Sequence, residues 1–299
     1  MKKAIYSVVF IGLFFCILRY PKAALYYAFT GLDLWYKKLI PSLLPFMILS
    51  GMMIRMQLTG GFVRWFKPVL GPLLGLSKNG IYATIIGFLC GFPMGARTIA
   101  ELMENRMLSR KEGEYLLAFI NNIGPAYFCG FVLPLLQIDR PFPYLFGMYG
   151  LPFFYGVMLR HTFYRNVNFP EYEKSEEKPM MNVLQALDES IRAGLIGIAG
   201  LGGYMILFNL FLLPIRLLFG QMATYLAPIF EISGGLAGLK NRLPFYSLIC
   251  LPFGGISCIA QTYGCISKTG LSLQRYTFHK IVLTLLTALY YMFLFGLSS

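Results

Sequence analysis

Apolar runs close to 20 residues long recur along this chain of 299 residues. A helix needs roughly 20 apolar residues to cross a bilayer, so these runs predict membrane spans. Six segments fit this pattern: about 4–18, 39–56, 114–137, 141–159, 193–213 and 276–297. Helices over about 23–36 and 182–191 are predicted to lie at the membrane surface, and those over about 62–76 and 216–230 to stop short of crossing. The pattern therefore predicts an all-α polytopic membrane protein.

Two further apolar runs are interrupted by glycine and continue as more polar arms. The first covers about 80–110 and breaks at Gly91-Phe92-Pro93, and the second covers about 243–272 and breaks at Gly254-Gly255. Backbone groups freed at membrane depth must be buried in protein or line a wet cavity, so we predict two re-entrant helical hairpins. Three predicted spans separate the hairpins, which then enter from opposite faces. This arrangement is typical of transporters built from two inverted repeats.

A solvated stretch with mixed charge and two prolines divides the chain into two similar halves. Short sequence echoes connect these halves, such as Phe46-Met47-Ile48-Leu49 and Tyr204-Met205-Ile206-Leu207. Echoes that follow one another in the same order are expected of a duplicated unit. We predict an N-terminal transmembrane anchor over 1–22, a first repeat over 23–159, a hydrophilic loop over 160–182 and a second repeat over 183–299.

Composition narrows the class of protein further. Hydrophobic residues make up 57% of the chain and charged residues 13%, outside the usual soluble range. The net charge is +13, but the 26 basic residues are scattered among apolar segments, so we expect no nucleic-acid partner. Their distribution weakly favours a cytoplasmic N-terminus. The six cysteines lack metal-ligand spacing and no catalytic motif is present, so we expect neither an enzyme nor a resident metal or cofactor.

The first interruption carries the most specific candidate site. Glycines at 91 and 95 let the backbone turn and approach a ligand, and Pro93 starts the second arm. The free N–H groups of that arm would point toward the tip and favour an anion, beside the ring of Phe92. Arg97 lies one turn further on and is costly in a bilayer, so it requires a partner or a cavity. It either receives substrate carboxylates or pairs with Glu101 on the same helix face.

The second interruption offers neutral polar groups. Gly254 and Gly255 would form its tip, and Ser257 and Gln261 are four residues apart and therefore share one helical face. Such a pair could hydrogen-bond a ligand or an ion. The alternative is polar contact between helices, which stabilises by about 0.6–2 kcal/mol per contact.

Adjacent amides interrupt the span that follows the first hairpin. Asn121 and Asn122 precede a Gly-Pro pair and are expected to face the protein interior. Their carbonyl oxygens could coordinate substrate or a coupling cation, and hydrogen bonding between helices is the alternative. Asp33 and Glu231 lie in predicted interfacial segments, where a structural role is favoured and proton coupling stays open.

Several of these strings resemble a known family. They are Gly91-Phe92-Pro93-Met94-Gly95-Ala96-Arg97, Leu108-Ser109, Asn121-Asn122, Gly124-Pro125, Pro41-Ser42-Leu43-Leu44-Pro45-Phe46 and Gly254-Gly255. From about residue 25 onward the chain resembles the sporulation integral membrane proteins of the nucleoside-recognition gate superfamily, and among them the stage V sporulation dipicolinate transporters. The resemblance implies a fold similar to concentrative nucleoside transporters and movement of pyridine-2,6-dicarboxylate toward the developing spore. Related gate proteins serve spore maturation or ferrous-iron import.

The expected function is transport or facilitated passage of a small organic anion, with dipicolinate as the first candidate. A coupling ion, Na⁺ or H⁺, and a homo-oligomer are both compatible with this interpretation. The expected location is a bacterial cell membrane, with the outer forespore membrane implied by the resemblance. The alternatives are a non-transporting scaffold in spore or envelope assembly and a nucleoside or cation transporter on the same fold.

Overall fold

The computed structural model describes residues 2–170 and 181–296, and every regular element in these ranges is helical. The helices are α1 Lys2–Arg19, α2 Pro21–Leu34, α3 Ile40–Arg55, α4 Thr59–Val63, α5 Lys67–Leu74, α6 Lys78–Cys90, α7 Met94–Glu104, α8 Arg110–Leu117, α9 Pro125–Leu135, α10 Phe142–His161, α11 Val183–Leu210, α12 Leu212–Phe219, α13 Ala223–Phe230, α14 Ile232–Leu239, α15 Pro244–Phe253, α16 Gly255–Ile266 and α17 Leu273–Gly296. Residues 171–180 of the predicted hydrophilic loop and residues 297–299 of the predicted second repeat lie outside this description.

Five helical segments of the described chain are long and apolar enough to cross a membrane. They are Pro21–Arg55, Phe142–His161, Val183–Phe230, Pro244–Ile266 and Leu273–Gly296. Four predicted spans, 39–56, 141–159, 193–213 and 276–297, fall on these segments, which confirms the class of helical membrane protein. The predicted span 4–18 overlaps the apolar stretch Phe10–Arg19 of α1, and the predicted span 114–137 contains the shorter apolar helix Pro125–Leu135.

The two predicted surface helices continue directly into the spans that follow them. A π-helical turn over Trp35–Leu39 joins α2 to α3, and α11 runs without interruption from residue 183. Gly31 lets α2 approach α11 closely. A Cβ at this position would lie only 2.6 Å from the carbonyl oxygen of Met205. The indole nitrogen of Trp35 donates to the carbonyl of Ile198 at 2.7 Å. Small residues and this hydrogen bond hold the first half of the chain against the second.

The first broken run folds back on itself. Ser77 caps α6 by accepting a hydrogen bond from the Gly80 amide at 3.0 Å. The helix ends at Gly91, whose φ of +78° is readily adopted only by glycine. α7 then begins after the cis Phe92-Pro93 peptide and packs along α6. The break therefore lies where the sequence predicts it.

The second glycine-interrupted run, over 243–272, does not form the predicted hairpin. This run does not fold back: α15 packs chiefly on α17, whereas α16 divides its packing among α7, α11, α13 and α17. Together α15 and α16 form the 23-residue segment Pro244–Ile266, and Gly254 introduces a break within it. The prediction of a hairpin here is therefore wrong. Two glycines let a helix deviate locally, but they do not by themselves reverse its direction.

The helices that do fold back in the second half are α13 and α14. They pack against each other on either side of Glu231, whose backbone is extended at φ −140° and ψ 115°. Its side chain accepts hydrogen bonds from the amides of Ser233 and Gly234 and so caps α14. The turn contains no glycine at the break itself, so the search for glycine interruptions does not find it.

Single-cysteine labelling tests these two assignments in a background without the native cysteines. We expect cysteines at Arg242 and Lys268, which flank α15 and α16, to react with an impermeant thiol reagent from opposite sides of the membrane. Cysteines at Lys78 and Asn105, which flank α6 and α7, should react from the same side. Labelling of positions 242 and 268 from one side would contradict the assignment of α15 and α16 as a crossing.

Candidate functional site

A cavity of about 70 Å³ lies where the interrupted helices meet. The first hairpin contributes Phe92 to its wall, and the break between α8 and α9 contributes Ile123 and Gly124. The second half of the chain contributes Glu231, Ser233, Cys258 and Gln261. The cavity is therefore shared by both halves of the chain, and the lining includes one acidic residue and no basic residue.

Glu231 is the acidic residue that lines this cavity. The residue is 2% exposed, and its Oε2 accepts from the Gly234 amide at 2.5 Å and from Asn209 Nδ2 at 3.1 Å. Its Oε1 accepts from the Ser233 amide at 3.2 Å. Three N–H donors thus compensate a carboxylate that is otherwise removed from water. The sequence placed Glu231 in a predicted interfacial segment, but a lone acid in an apolar run, with Ser-Gly-Gly starting two residues later, was a detectable signal of a helix cap.

The predicted second tip supplies part of the cavity wall, but Ser257 and Gln261 bind each other and do not both face the cavity. Gln261 lines the cavity, and its Nε2 donates to Ser257 Oγ at 3.0 Å. Ser257 is fully buried. A Cβ at Gly254 would lie 2.9 Å from the ring of Phe92, and one at Gly255 would lie 3.1 Å from the Pro228 carbonyl oxygen. The two glycines therefore allow the hairpins and α16 to pack closely.

The amide of Asn121 connects three helices. Its Oδ1 accepts from the Ala96 amide at 3.2 Å, near the start of α7. Its Nδ2 donates to Thr262 Oγ1 at 3.0 Å and to Tyr276 Oη at 3.1 Å. Hydrogen bonding between helices, one of the two alternatives from sequence, describes this side chain. It also explains Gly95, since a Cβ there would lie 3.1 Å from Asn121 Oδ1.

Asn122 holds the tip of the first hairpin. Its backbone oxygen accepts from the Phe92 amide at 2.5 Å, and its Nδ2 donates to the Phe119 carbonyl at 2.6 Å. A Cβ at Gly91 would overlap with the backbone nitrogen of Gly124. The tip and the break between α8 and α9 are thus in backbone contact. Pro93 starts α7 directly beside them.

Lys280 is the site residue that the sequence analysis missed. It belongs to α17 and is 1% exposed, and its Nζ donates to the Asn121 carbonyl at 3.0 Å and to Asn122 Oδ1 at 2.9 Å. The ammonium also lies 4.6 Å from the ring centroid of Phe92. A lysine within an apolar helix is expensive in a membrane, and that cost was the signal available from sequence.

Arg97 is turned away from the cavity. Its Nη2 donates to the Ala193 carbonyl of α11 at 2.7 Å. Glu101, its expected intrahelical partner, instead forms an ion pair with Arg55 at 3.0 Å. The Arg97–Glu101 pair, one of the two alternatives from the sequence, is therefore not formed, and the structure does not place Arg97 beside the cavity. Arg97 joins the second arm of the hairpin to α11.

The described residues contain no group of three or more His, Cys, Asp or Glu side chains that could hold a metal ion. The chemistry available at the cavity is hydrogen bonding and charge. Glu231 and Cys258 line the cavity, and the Lys280 ammonium lies 4.6 Å from the ring centroid of Phe92, which lines it as well. The cavity is thus bordered by one buried acid and, behind Phe92, by one buried base.

Comparison with known proteins supports a sporulation membrane protein family. The chain is 32% identical over 120 residues to the sporulation integral membrane protein YlbJ of Bacillus subtilis, covering 39% of this chain and 28% of that protein. A second match, to the PTS system glucitol/sorbitol-specific EIIB component of Clostridium beijerinckii, is 40% identical over 58 residues, which are 19% of this chain and 16% of that protein. The chain thus spans less than a third of the length of either relative. No family model and no solved structure matches.

Substitution of Gly91 tests the contact between the hairpin tip and the helix break. Gly91→Ala combines an unfavourable positive φ with overlap on the Gly124 backbone, so we expect a loss of stability of about 1–3 kcal/mol, seen as earlier thermal unfolding in detergent. Gly200→Ala is the matched control, because a Cβ there meets nothing within 4 Å and alanine favours the helix. Equal unfolding temperatures for the two variants would contradict the contact.

Proposed function

We propose that this protein is a membrane transporter or facilitator of a small organic anion in spore formation, with dipicolinate as the first substrate to test. The observation that carries the proposal is the cavity, because residues at helix breaks from both halves of the chain line it. Irregular backbone at membrane depth is stable only where it is buried in protein or lines a cavity. Binding sites formed by discontinuous helices are a recurring feature of secondary transporters. A catalytic role has no comparable support, so the proposal is a non-enzymatic one.

The order of the helices supports an inverted-repeat fold for this function. In the first half, the fold-back pair α6 and α7 precedes the interrupted pair α8 and α9, and the long helix α10 follows. In the second half, α13 and α14 fold back, α15 and α16 form the interrupted pair, and α17 follows. We propose that both fold-back pairs are re-entrant hairpins. The second hairpin of this proposal is centred on Glu231 and replaces the one predicted from Gly254-Gly255.

The charge of the cavity constrains how an anion could bind. A dianion and the Glu231 carboxylate would repel each other, by about 4 kcal/mol per pair of unit charges at 4 Å in a medium of effective dielectric 20. Protonation of Glu231 removes this repulsion and leaves an O–H that can donate to a substrate carboxylate. We therefore propose H⁺ as the coupling ion and Glu231 as its acceptor. The small organic anion and the proton would bind together.

The similarity to a sporulation integral membrane protein supports a membrane role in sporulation. On this basis we propose a location in the bacterial cell membrane and, during spore formation, in the outer forespore membrane. The lipid bilayer is the required environment, and a homo-oligomer is compatible with the many apolar side chains that the described helices expose. No nucleic-acid partner is proposed.

A second candidate is transport of a nucleoside or a cation on the same fold. The observation in its favour is the lining of the cavity, in which Glu231 is acidic and no residue is basic. A buried carboxylate could accept hydrogen bonds from ribose hydroxyls or neutralise a cation directly. The two candidates therefore differ in the state of Glu231 that they need. An anion needs protonated Glu231, whereas a nucleoside or a cation can bind to the ionised carboxylate.

Flux into liposomes that contain only this protein tests both candidates. We expect labelled dipicolinate to enter faster when a proton gradient is directed inward, and Glu231→Gln to lower the gradient-driven rate at least tenfold. Asp188→Asn is the matched control, because this exposed acid pairs with Arg192 on the surface. Entry of dipicolinate no faster than into empty liposomes would refute the first proposal, and uptake of a nucleoside or cation instead would support the second.

A further inference from the structure

Lys280 has an environment that resembles the coordination of a free monovalent cation. Its ammonium is buried and receives two oxygen ligands, one from a backbone carbonyl and one from an amide side chain. The ring of Phe92 supplies the third contact through its negative face. Within the described residues, the ammonium forms no ion pair with a carboxylate. Neutral oxygens and an aromatic face are the partners that a protein offers to a singly charged cation.

The backbone oxygen is available because the chain is unwound at this position. Asn121 belongs to the irregular segment 118–124, between the end of α8 and the start of α9. Even in a continuous helix its carbonyl would lack a partner, because the residue four positions later is Pro125, which has no N–H to donate. At this break it needs another donor or a cation, because an unsatisfied buried carbonyl is costly. The Lys280 ammonium satisfies it.

The same cluster holds the hairpin tip in place. The Phe92 amide donates to the Asn122 carbonyl, and the Phe92 ring lies over the ammonium that Asn122 Oδ1 also binds. Loss of the positive charge would leave two oxygens and the aromatic face without their shared partner. The ammonium therefore contacts both the hairpin tip and the residue that binds the tip.

We propose that the Lys280 ammonium is a tethered substitute for a free monovalent cation, and that it occupies a latent cation site formed by Asn121, Asn122 and Phe92. The inference is independent of which solute the protein moves. It assigns the site the chemistry of small monovalent cations such as ammonium, methylammonium or Na⁺. It also implies that the intact protein needs no dissolved cation to hold the hairpin tip.

A lysine with a merely structural role gives a different expectation. Its removal would lower stability equally in every salt, because no dissolved ion would replace the lost hydrogen bonds. A latent cation site predicts instead that a small cation restores stability once the tethered ammonium is gone. Lys280→Ala distinguishes these cases, because it removes the charge and leaves room beside the two oxygens.

The experiment is thermal unfolding of the detergent-solubilised full chain at constant ionic strength, with chloride salts of methylammonium, ammonium, Na⁺ and choline. We expect Lys280→Ala to unfold at a lower temperature than wild type in choline and to recover by roughly 2–4 °C in one of the smaller cations. Wild type should show no such selectivity. Two controls are Lys268→Ala, at an exposed position, and Lys280→Ala with Asn122→Leu, which removes one oxygen ligand; neither should show selective recovery.

Three results would overturn the proposal. The first is equal stability of Lys280→Ala in all four salts, including failure to fold in every one of them. The second is selective stabilisation of wild type by a small cation, which would show that the site is not filled by Lys280. The third is unchanged recovery after removal of the Asn122 oxygen. All readouts measure unfolding and not flux, so their outcome is separate from that of the transport proposal.

Discussion

The hydrogen bond from the Phe92 amide to the Asn122 carbonyl is the contact on which the arrangement of the site depends. A helix interrupted in an apolar environment frees backbone groups that water cannot satisfy, and each must find a partner within the protein. Here two interruptions satisfy each other: the tip of the first hairpin donates to the break between α8 and α9. The Asn121 side chain accepts from the Ala96 amide, and the Lys280 ammonium donates to the Asn121 carbonyl, so these side chains satisfy two further backbone groups. The cavity lies beside this junction, and Phe92, Ile123 and Gly124 of the two breaks line it.

The sequence was informative where the cause of a structural feature is local. Gly91 permits a positive φ and Pro93 fixes its own φ and lacks an N–H, so the first break could be located from these residues. The amides of Asn121 and Asn122 are expensive in lipid, so their inward orientation was also predictable. Their partners were not, because Thr262, Tyr276 and Lys280 lie at least 140 residues further along the chain. Contacts between distant helices are determined by packing, which the pattern of a single sequence does not encode.

The second half shows how a residue pattern can indicate the wrong element. Gly254 and Gly255 are residues typical of a reversal, but the chain continues: α15 packs chiefly on α17, and α16 packs mainly on other helices. The reversal occurs at Glu231, where a carboxylate caps the new helix and no glycine is required at the break. An isolated acid in an apolar run is as strong a signal as a glycine, and here it marks both Glu231 and the polar side of the cavity. The same logic applied to bases would have found Lys280.

Cross-linking tests directly whether the first hairpin tip meets the second half of the chain at the cavity. Phe92→Cys is combined with the native Cys258, which lines the same cavity, after replacement of the other five cysteines. A short bifunctional thiol reagent should link the two positions in membranes, whereas the same variant carrying Cys258→Ala and retaining the exposed Cys129 should not be linked. Failure of positions 92 and 258 to link, with both thiols shown to be reactive, would contradict the convergence of the two halves around one cavity.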